Sequence, residues 1–259
     1  ALPILKRYKK DKTMKISVEN SFITDDSNEC EQGAYFVQTT ANAKFAEDAV
    51  KNGAKIITLE ECKKLLKIDE SLKIVGITGT NGKTTTAAAI YEILRNLGKK
   101  CGLSGTRGAF IEGKQIDDKA LTTSAILRTL SYLKAASEQG CEYFVMEVSS
   151  HAIAQKRIES LKFVLKIFTN LTQDHLDYHK SMEEYARVKS SFFDDDCMKL
   201  INADDNGIKF NPKNAYTYSL KKPASFAPVV YGLKDGIDAV IKTPNGDVEI
   251  DSSLQGEFN

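Results

Sequence analysis

Lys83 and Thr84 close the stretch Thr78-Gly-Thr-Asn-Gly-Lys-Thr-Thr85, which follows an apolar run (Ile74, Val75, Ile77) and leads into Ala87-Ala-Ala89. Strand, glycine turn and helix in that order put backbone N–H groups at a helix N-terminus, where they favour an anion. A lysine at the end of such a turn can reach terminal phosphates, and the hydroxyl beside it can hold a magnesium ion. The loop is shorter than the strict Walker pattern, which would have glycine where this chain has Ile77. An ordinary β-turn with a surface lysine is the bland alternative. The flanking strand and helix weigh against it, so Gly79, Thr80, Asn81, Gly82, Lys83, Thr84 and Thr85 read as a nucleoside-triphosphate site.

All three histidines, His151, His175 and His179, lie in one window downstream of that loop. Just before the first, Glu147 interrupts the apolar strand Tyr143–Val148 near its C-terminal end, where open α/β sheets place their ligands. A carboxylate there could belong to a buried salt bridge, or it could be a magnesium ligand, since a hard cation wants oxygen donors. The segment from Phe168 to His179 begins where another strand should end and contains Asp174, His175, Asp177 and His179. It could be a capped, solvated loop, or an imidazole and a carboxylate could complete a metal shell. Zinc suits it poorly, because no cysteine accompanies these residues.

The elements that must position these groups alternate between strand and helix from Lys73 onward. Helices are expected over Thr84–Leu97, Ser124–Glu138, His151–Ser160 and Ser181–Phe193. Strands are expected at Cys101–Ser104, Tyr143–Val148, Phe163–Phe168 and Lys199–Ile201, with a hairpin turning at Glu112-Gly113. Such alternation predicts a mainly parallel sheet covered by helices. Tyr216–Ser219, Asp238–Lys242 and Asp247–Ile250 read as antiparallel strands that extend one edge of the sheet, with a turn at Pro244-Asn245-Gly246. Residues 15–60 read as a smaller α/β unit: a strand at Gly33–Val37, a helix ending at Gly53, and a strand at Lys55–Thr58. A charged helix, Glu60–Lys67, leads out of it. The expected class is therefore α/β, with a P-loop-type sheet over 71–259 carrying antiparallel edge strands, preceded by a small α/β domain over 1–70.

Bulk properties narrow the setting. The chain has 259 residues, 42% of them apolar and 27% charged, and a net charge of +1, so it offers no field for nucleic acid or an anionic membrane. Its five cysteines are odd in number and dispersed, which reads as reduced thiols in a cytoplasmic protein. No apolar run reaches the length of a membrane span, and the basic stretch Lys6–Lys10 lacks a signal-peptide core.

Several separated stretches together resemble the Mur ligases of bacterial cell-wall synthesis, and within them the branch that adds the third residue of the peptide stem. They are Thr78–Thr85, Leu121-Thr-Thr123, Met146-Glu-Val-Ser-Ser-His151, Gln155-Lys-Arg157, Phe168–His179, Tyr185-Ala-Arg-Val-Lys189, Ile201-Asn-Ala-Asp-Asp205 and Leu254-Gln-Gly-Glu-Phe-Asn259. They run in family order from Lys73 to the last residue, whereas the first 70 residues match weakly.

The resemblance implies an ATP-dependent amide ligase of peptidoglycan synthesis. A carboxylate of UDP-N-acetylmuramoyl-L-alanyl-D-glutamate would become an acyl phosphate, and a diamino acid, meso-diaminopimelate ahead of L-lysine, would displace phosphate. It implies Lys83 on the phosphates, Thr84 and Glu147 on a first magnesium, and Glu147 with His175 on a second. Lys189, which alone would read as an amphipathic lysine reaching solvent, would be carbamylated by CO2 and become an anionic metal ligand. Thr122, Thr123, Ser149, Gln155 and Arg157 would contact the UDP-muramoyl peptide, Ser27 the uracil and Asn259 the adenine. For Thr122-Thr123 a helix N-cap is an additional reading. The family's third, C-terminal domain has no counterpart, which implies a fragment with little activity of its own, and a monomer by analogy. Another Mur step, a folylpolyglutamate synthase-like ligase, a plain P-loop ATPase and a non-catalytic nucleotide-binding regulator are the rival readings. A complete metal shell argues against the regulator.

Overall fold

The computed structural model describes residues 14–118, 121–234 and 236–253. The chain divides into two compact units, one running to Asp69 and including Ala125–Lys134, the other made of Glu70–Ser124 and the chain from Ala135 onward.

The first unit is a four-stranded sheet in the order β1 (Lys15–Val18), β2 (Ser21–Thr24), β3 (Tyr35–Val37), β4 (Lys55–Ile57). Only β1 and β2 pair antiparallel, and the β2–β3 and β3–β4 ladders are parallel. Helix α1 (Ala46–Lys51) lays Ala49 against Phe36, Ala34 and Cys30. Helix α2 (Leu59–Leu65) begins at a capping box, in which the Thr58 hydroxyl accepts from Glu61 N and the Glu61 carboxylate accepts from Thr58 N. β1 and β2 are the elements that residue pattern alone did not predict here.

The second unit is built on a sheet in the order β12-β11-β10-β5-β9-β6-β7-β8. Its strands are β5 (Lys73–Thr78), β6 (Cys101–Gly105), β7 (Gly108–Ile111), β8 (Lys114–Asp117), β9 (Tyr143–Glu147), β10 (Phe163–Phe168), β11 (Met198–Asn202) and β12 (Ala215–Tyr218). The six from β12 to β6 are parallel, and β7 and β8 fold back as an antiparallel edge hairpin. Every residue of β5 except Lys73 is buried, as a central parallel strand requires. The core about it joins Val75, Ile77, Val145 and Ile167 to Ala87 and Tyr91 of α3 (Lys83–Asn96). The other helices are α4 (Ile126–Glu138), α5 (Ser150–Ala154), α6 (Leu176–His179) and α7 (Met182–Ser191).

Two expectations need correction. The tail strands do not extend the sheet as antiparallel edges: β12 pairs parallel with β11. β13 (Ala227–Gly232), β14 (Ile237–Thr243) and β15 (Gly246–Ser252) form a separate antiparallel sheet, with Pro244-Asn245 at its turn. The antiparallel edge is the β7–β8 hairpin at the opposite end, whose turn residues Glu112 (φ 48°) and Gly113 (φ 81°) both have positive φ. The helix expected over His151–Ser160 is α5 alone and ends at Ala154. Lys156 takes a left-handed φ of 55°, its N–H bonds to Ile153 O (3.1 Å), and Arg157 N bonds to Ala152 O (2.8 Å). That is a Schellman stop. Helices α1, α3 and α4 end the same way on Gly53, Gly98 and Gly140, where the glycine announces the stop.

Gly76, at the middle of β5, has no room for a side chain, since a Cβ would lie 2.7 Å from the Phe163 ring and 2.9 Å from Phe192. Gly76→Ala is expected to destabilise the fold by about 1–3 kcal/mol through overpacking. A urea unfolding curve should show a lower midpoint with an unchanged slope.

Candidate active site

The glycine loop leaves the carboxyl end of β5 and enters α3 at Gly82, a left-handed cap (φ 83°) with no side chain to offer the helix start. The N–H groups of that first turn remain donors for an anion. Lys83 curls over its own loop, donating from Nζ to Gly79 O (2.8 Å) and Thr80 O (2.9 Å). Burial lowers its pKa against the opposing pull of Glu147 and Asp174. Thr85 is exposed on the same turn.

The segment after β10 braces this loop. Thr80 N donates to Asn170 O (2.8 Å) and Asn81 N to Asn170 Oδ1 (2.9 Å), while Thr169 Oγ1 donates to Asn81 O (2.6 Å). Thr172 N donates to the Thr80 hydroxyl (3.0 Å). The approach is close enough that a Cβ on Gly79 would stand 1.8 Å from Thr169 Oγ1. Thr169, Asn170 and Thr172 were legible only as polar loop residues, because the partners they brace lie about 90 positions away in sequence.

Glu147, the last residue of β9, is 2% exposed. Its burial is tolerated because donors meet both oxygens. Thr106 N reaches Oε1 (2.9 Å), and the hydroxyls of Thr84 (3.0 Å) and Thr106 (3.1 Å) reach Oε2. Cis ligands of an octahedral magnesium at about 2.1 Å stand roughly 3.0 Å apart. The Thr84 and Glu147 oxygens already have that separation, so they fit the first metal position. Among the described residues, no group of three or more His, Cys, Asp or Glu is placed to hold a metal.

The residues expected to contact a second substrate form one polar chain with Glu147. The Thr123 hydroxyl donates to Glu147 O (3.0 Å) and accepts from Ser149 N (2.9 Å), so it ties β9 to α5. Ser149 caps α5 by accepting from Ala152 N (3.2 Å). Arg157 Nη1 donates to Thr123 O (3.0 Å) and Arg157 Nε to Gln155 Oε1 (2.9 Å). Gln155 in turn donates to Tyr178 OH (3.2 Å). Thr122 lies 3.2 Å from Thr106, hydroxyl to hydroxyl.

His175 sits in a left-handed conformation (φ 52°) at the start of α6. Its ring stands edge-on to His151 at 4.9 Å and to Tyr185 at 6.3 Å, with Asp174 Oδ2 3.3 Å from its Nε2. His179 is buried and bonded to the Ser150 hydroxyl (2.9 Å), a structural role for that member of the trio. Burial lowers the pKa of His151 and of His179, and neighbouring imidazoles lower both further. Tyr185 carries this cluster to the loop through its contact with the Thr80 hydroxyl (3.1 Å).

Lys189 does not reach solvent. It is 1% exposed, and its Nζ donates to Gly79 O (2.9 Å) beneath the glycine loop. Burial, and then the nearby Lys83, push its pKa down to about 7. Ser27 belongs to the first unit, where it opens a short 3-10 turn and is buried, and Asn259 lies outside the described residues. The five thiols are free, and burial raises the pKa of each. Among the described residues, no helix is long and apolar enough to cross a membrane.

A family model described as the Mur ligase middle domain matches residues 77–259. The chain is 47% identical over 242 residues to the UDP-N-acetylmuramoyl-L-alanyl-D-glutamate–2,6-diaminopimelate ligase of Wolinella succinogenes, covering 93% of this chain and 55% of that protein. It is 45% identical over 250 residues to the ligase of the same name from Helicobacter pylori, covering 92% and 56%. A solved structure of a ligase with that name superposes with a TM-score of 0.76 at 27% identity, over 92% of this chain and 56% of the other. Escherichia coli FolC, solved with DHPP and ADP, shares the fold at a TM-score of 0.56 and 17% identity, over 75% of this chain and 51% of the other. The chain spans about half the length of the curated relatives it matches. With the glycine loop, Glu147 and Lys189 gathered at the carboxyl ends of the central strands, and the family model matched over most of the chain, the chain belongs to the Mur ligase family.

Proposed function

We propose that this chain supplies the ATP-binding and acceptor-binding parts of the ligase that joins a diamino acid to UDP-N-acetylmuramoyl-L-alanyl-D-glutamate. The observation that carries the reading is the convergence of Lys83, Thr84, Glu147 and the buried amine of Lys189 on one glycine loop. A plain ATPase site has no need of the polar chain that runs from Glu147 through Thr123 to Ser149, Arg157 and Gln155. The names of the relatives at 45–47% identity support meso-diaminopimelate as the incoming amine. On this reading 1–70 is the uridine-side domain, with Ser27 at the uracil, and 71–259 the ATP-binding domain, with Asn259 at the adenine. The protein works as a cytoplasmic monomer.

A carboxylate is a poor electrophile, and phosphorylation by ATP gives it a leaving group. An acyl phosphate and ADP form, and attack by the amine then releases phosphate as the amide bond closes. Two anions must meet first, so fixed positive charge and donors have to be waiting. Lys83 leaves its two loop carbonyls to bind the β- and γ-phosphates, and the N–H groups at the start of α3 take further phosphate oxygens. Thr84 and Glu147 would hold a magnesium ion, which neutralises charge on the phosphates. Lys189 presents an amine that is neutral in a large fraction of molecules near pH 7, the form that adds CO2. Its carbamate would supply an anionic oxygen beside the loop, and Glu147 with His175 would hold a second ion. Arg157 and the hydroxyls of Thr122, Thr123 and Ser149 bind and orient the acceptor.

Calorimetry on this chain with Mg-AMPPNP tests the nucleotide site. Lys83→Ala and Thr84→Ala should each lose at least about tenfold in affinity while remaining folded, as loss of a charge-assisted contact predicts. Unchanged affinity in both would remove the phosphate assignment. With nucleotide present, the muramoyl-dipeptide should bind in preference to the monopeptide, free UDP and a folate.

Lys189 also sets a pH dependence. Its folded pKa of about 7 lies below the ordinary lysine value of about 10.4. Between those values the unfolded chain holds a proton that the folded chain does not, so stability rises with pH in that window and this contribution is lost as pH falls toward 7. In CO2-free buffer, Lys189→Met should flatten the rise in melting temperature between about pH 7 and pH 9. In isotopically labelled bicarbonate, a carbamate carbon signal should appear for the natural chain and be missing for the variant.

A further inference from the structure

The turn between β6 and β7 is built around the Glu147 carboxylate. Gly105 closes β6 with the carboxylate directly above it: a Cβ there would lie 2.1 Å from Glu147 Oε1 and 2.7 Å from its Cδ. Thr106 follows in the turn and bonds to both carboxylate oxygens, by its N–H at 2.9 Å and its hydroxyl at 3.1 Å. The same hydroxyl is 3.2 Å from that of Thr122. Thr106 has a single hydroxyl proton and is placed to donate it either to Glu147 Oε2 or to the Thr122 hydroxyl, so these two acceptors compete for it. As the acceptor in that contact Thr122 keeps its own proton for a ligand, and a ligand that engages Thr122 alters the hold of Thr106 on Glu147. Thr106 is exposed in a two-residue turn, where packing makes no demand for threonine.

We propose that Thr106 is a positioning residue: it fixes the Glu147 carboxylate in the orientation that shares a cation with Thr84, and it couples that orientation to acceptor recognition at Thr122. The proposal rests on the ligase reading given above. Glycine at 105 admits the carboxylate, the Thr106 N–H holds one oxygen, and its hydroxyl holds the other. An acceptor that draws on Thr122 acts, through two hydroxyls, on the metal ligand.

The test is magnesium-dependent binding of AMPPNP to this chain, with melting curves to confirm folding. Thr106→Val keeps the shape and the N–H but removes the hydroxyl. It should raise the half-saturating magnesium concentration roughly tenfold, the effect of one hydrogen bond to a charged group, and Thr106→Ser should restore it. Thr122→Val should give no rise, because the Thr106 proton is then committed to Glu147, and the double variant should match Thr106→Val alone, because both act through one hydroxyl. Glu147→Gln is the control for the site itself. If Glu147→Gln loses magnesium dependence while Thr106→Val matches the natural chain, the positioning role is overturned and the ligase reading stands. If Glu147→Gln also matches the natural chain, both fall. Failure of Thr106→Ser to restore the natural value would overturn the hydroxyl relay.

Discussion

Two ammonium groups converge on one carbonyl oxygen at the end of β5: Gly79 O accepts from Lys83 Nζ at 2.8 Å and from Lys189 Nζ at 2.9 Å. Like charges so close, with little water to screen them, repel strongly. Burial lowers both pKa values, and the nearby Lys83 adds to the shift of Lys189, which falls to about 7. The site is therefore short of negative charge by construction. Its first-turn N–H groups add to the same imbalance, while the buried carboxylate of Glu147 is engaged by three donors. An anion arriving at the loop lowers the energy of nearly every polar group around it, which is what a triphosphate or a carbamate would do.

That tension needs a rigid frame, and the frame comes from distant parts of the chain. Asn170 and Thr169 hold the glycine loop from the end of β10, and Asn202 holds the Thr169 carbonyl (2.7 Å) from the end of β11. Asp205 fixes Leu171 N (2.7 Å), so the bracing segment is itself braced. Tyr185 and Lys189 approach from below, one on the Thr80 hydroxyl and the other on the Gly79 carbonyl. Lysine and hydroxyl positions are thus set by backbone contacts on several strands rather than by the loop alone, the condition for a preorganised charge site.

Much of this was readable in sequence where the signal is local. The strand–glycine–helix order at Lys73–Ala89, the positive-φ turn at Glu112-Gly113 and the helix stops at Gly53, Gly98 and Gly140 each carry their cause in adjacent residues. Glu147 was readable because a charge at the end of an apolar strand has few explanations. The rest depended on partners far along the chain. Helix α5 stops on Lys156 in the left-handed region, which no glycine advertises. Burial of Lys189 cannot be told from an amphipathic lysine by spacing. The tail strands alternate like any exposed strands, and nothing local says that β12 joins the main sheet in parallel while β13–β15 pair among themselves. Thr106 is one threonine in a turn until Gly105 and Glu147 are seen together.

The chemistry of the site finally depends on strand register. Ile77 is paired with Glu147 across β5 and β9, and Thr78 with Phe168 across β5 and β10, so the three strands end level to within one residue. Level ends place the glycine loop, the carboxylate and the bracing segment Thr169–Thr172 side by side. A one-residue slip of β9 would turn Glu147 to the other face of the sheet and bring an apolar neighbour to Thr84 and Thr106. The apolar residues of these strands prevent that slip, because it would expose or overpack Val75, Val145 and Ile167 together. The hydrophobic core therefore sets the distance between a hydroxyl and a carboxylate to 3.0 Å, and a metal-sized separation follows from how aliphatic side chains pack.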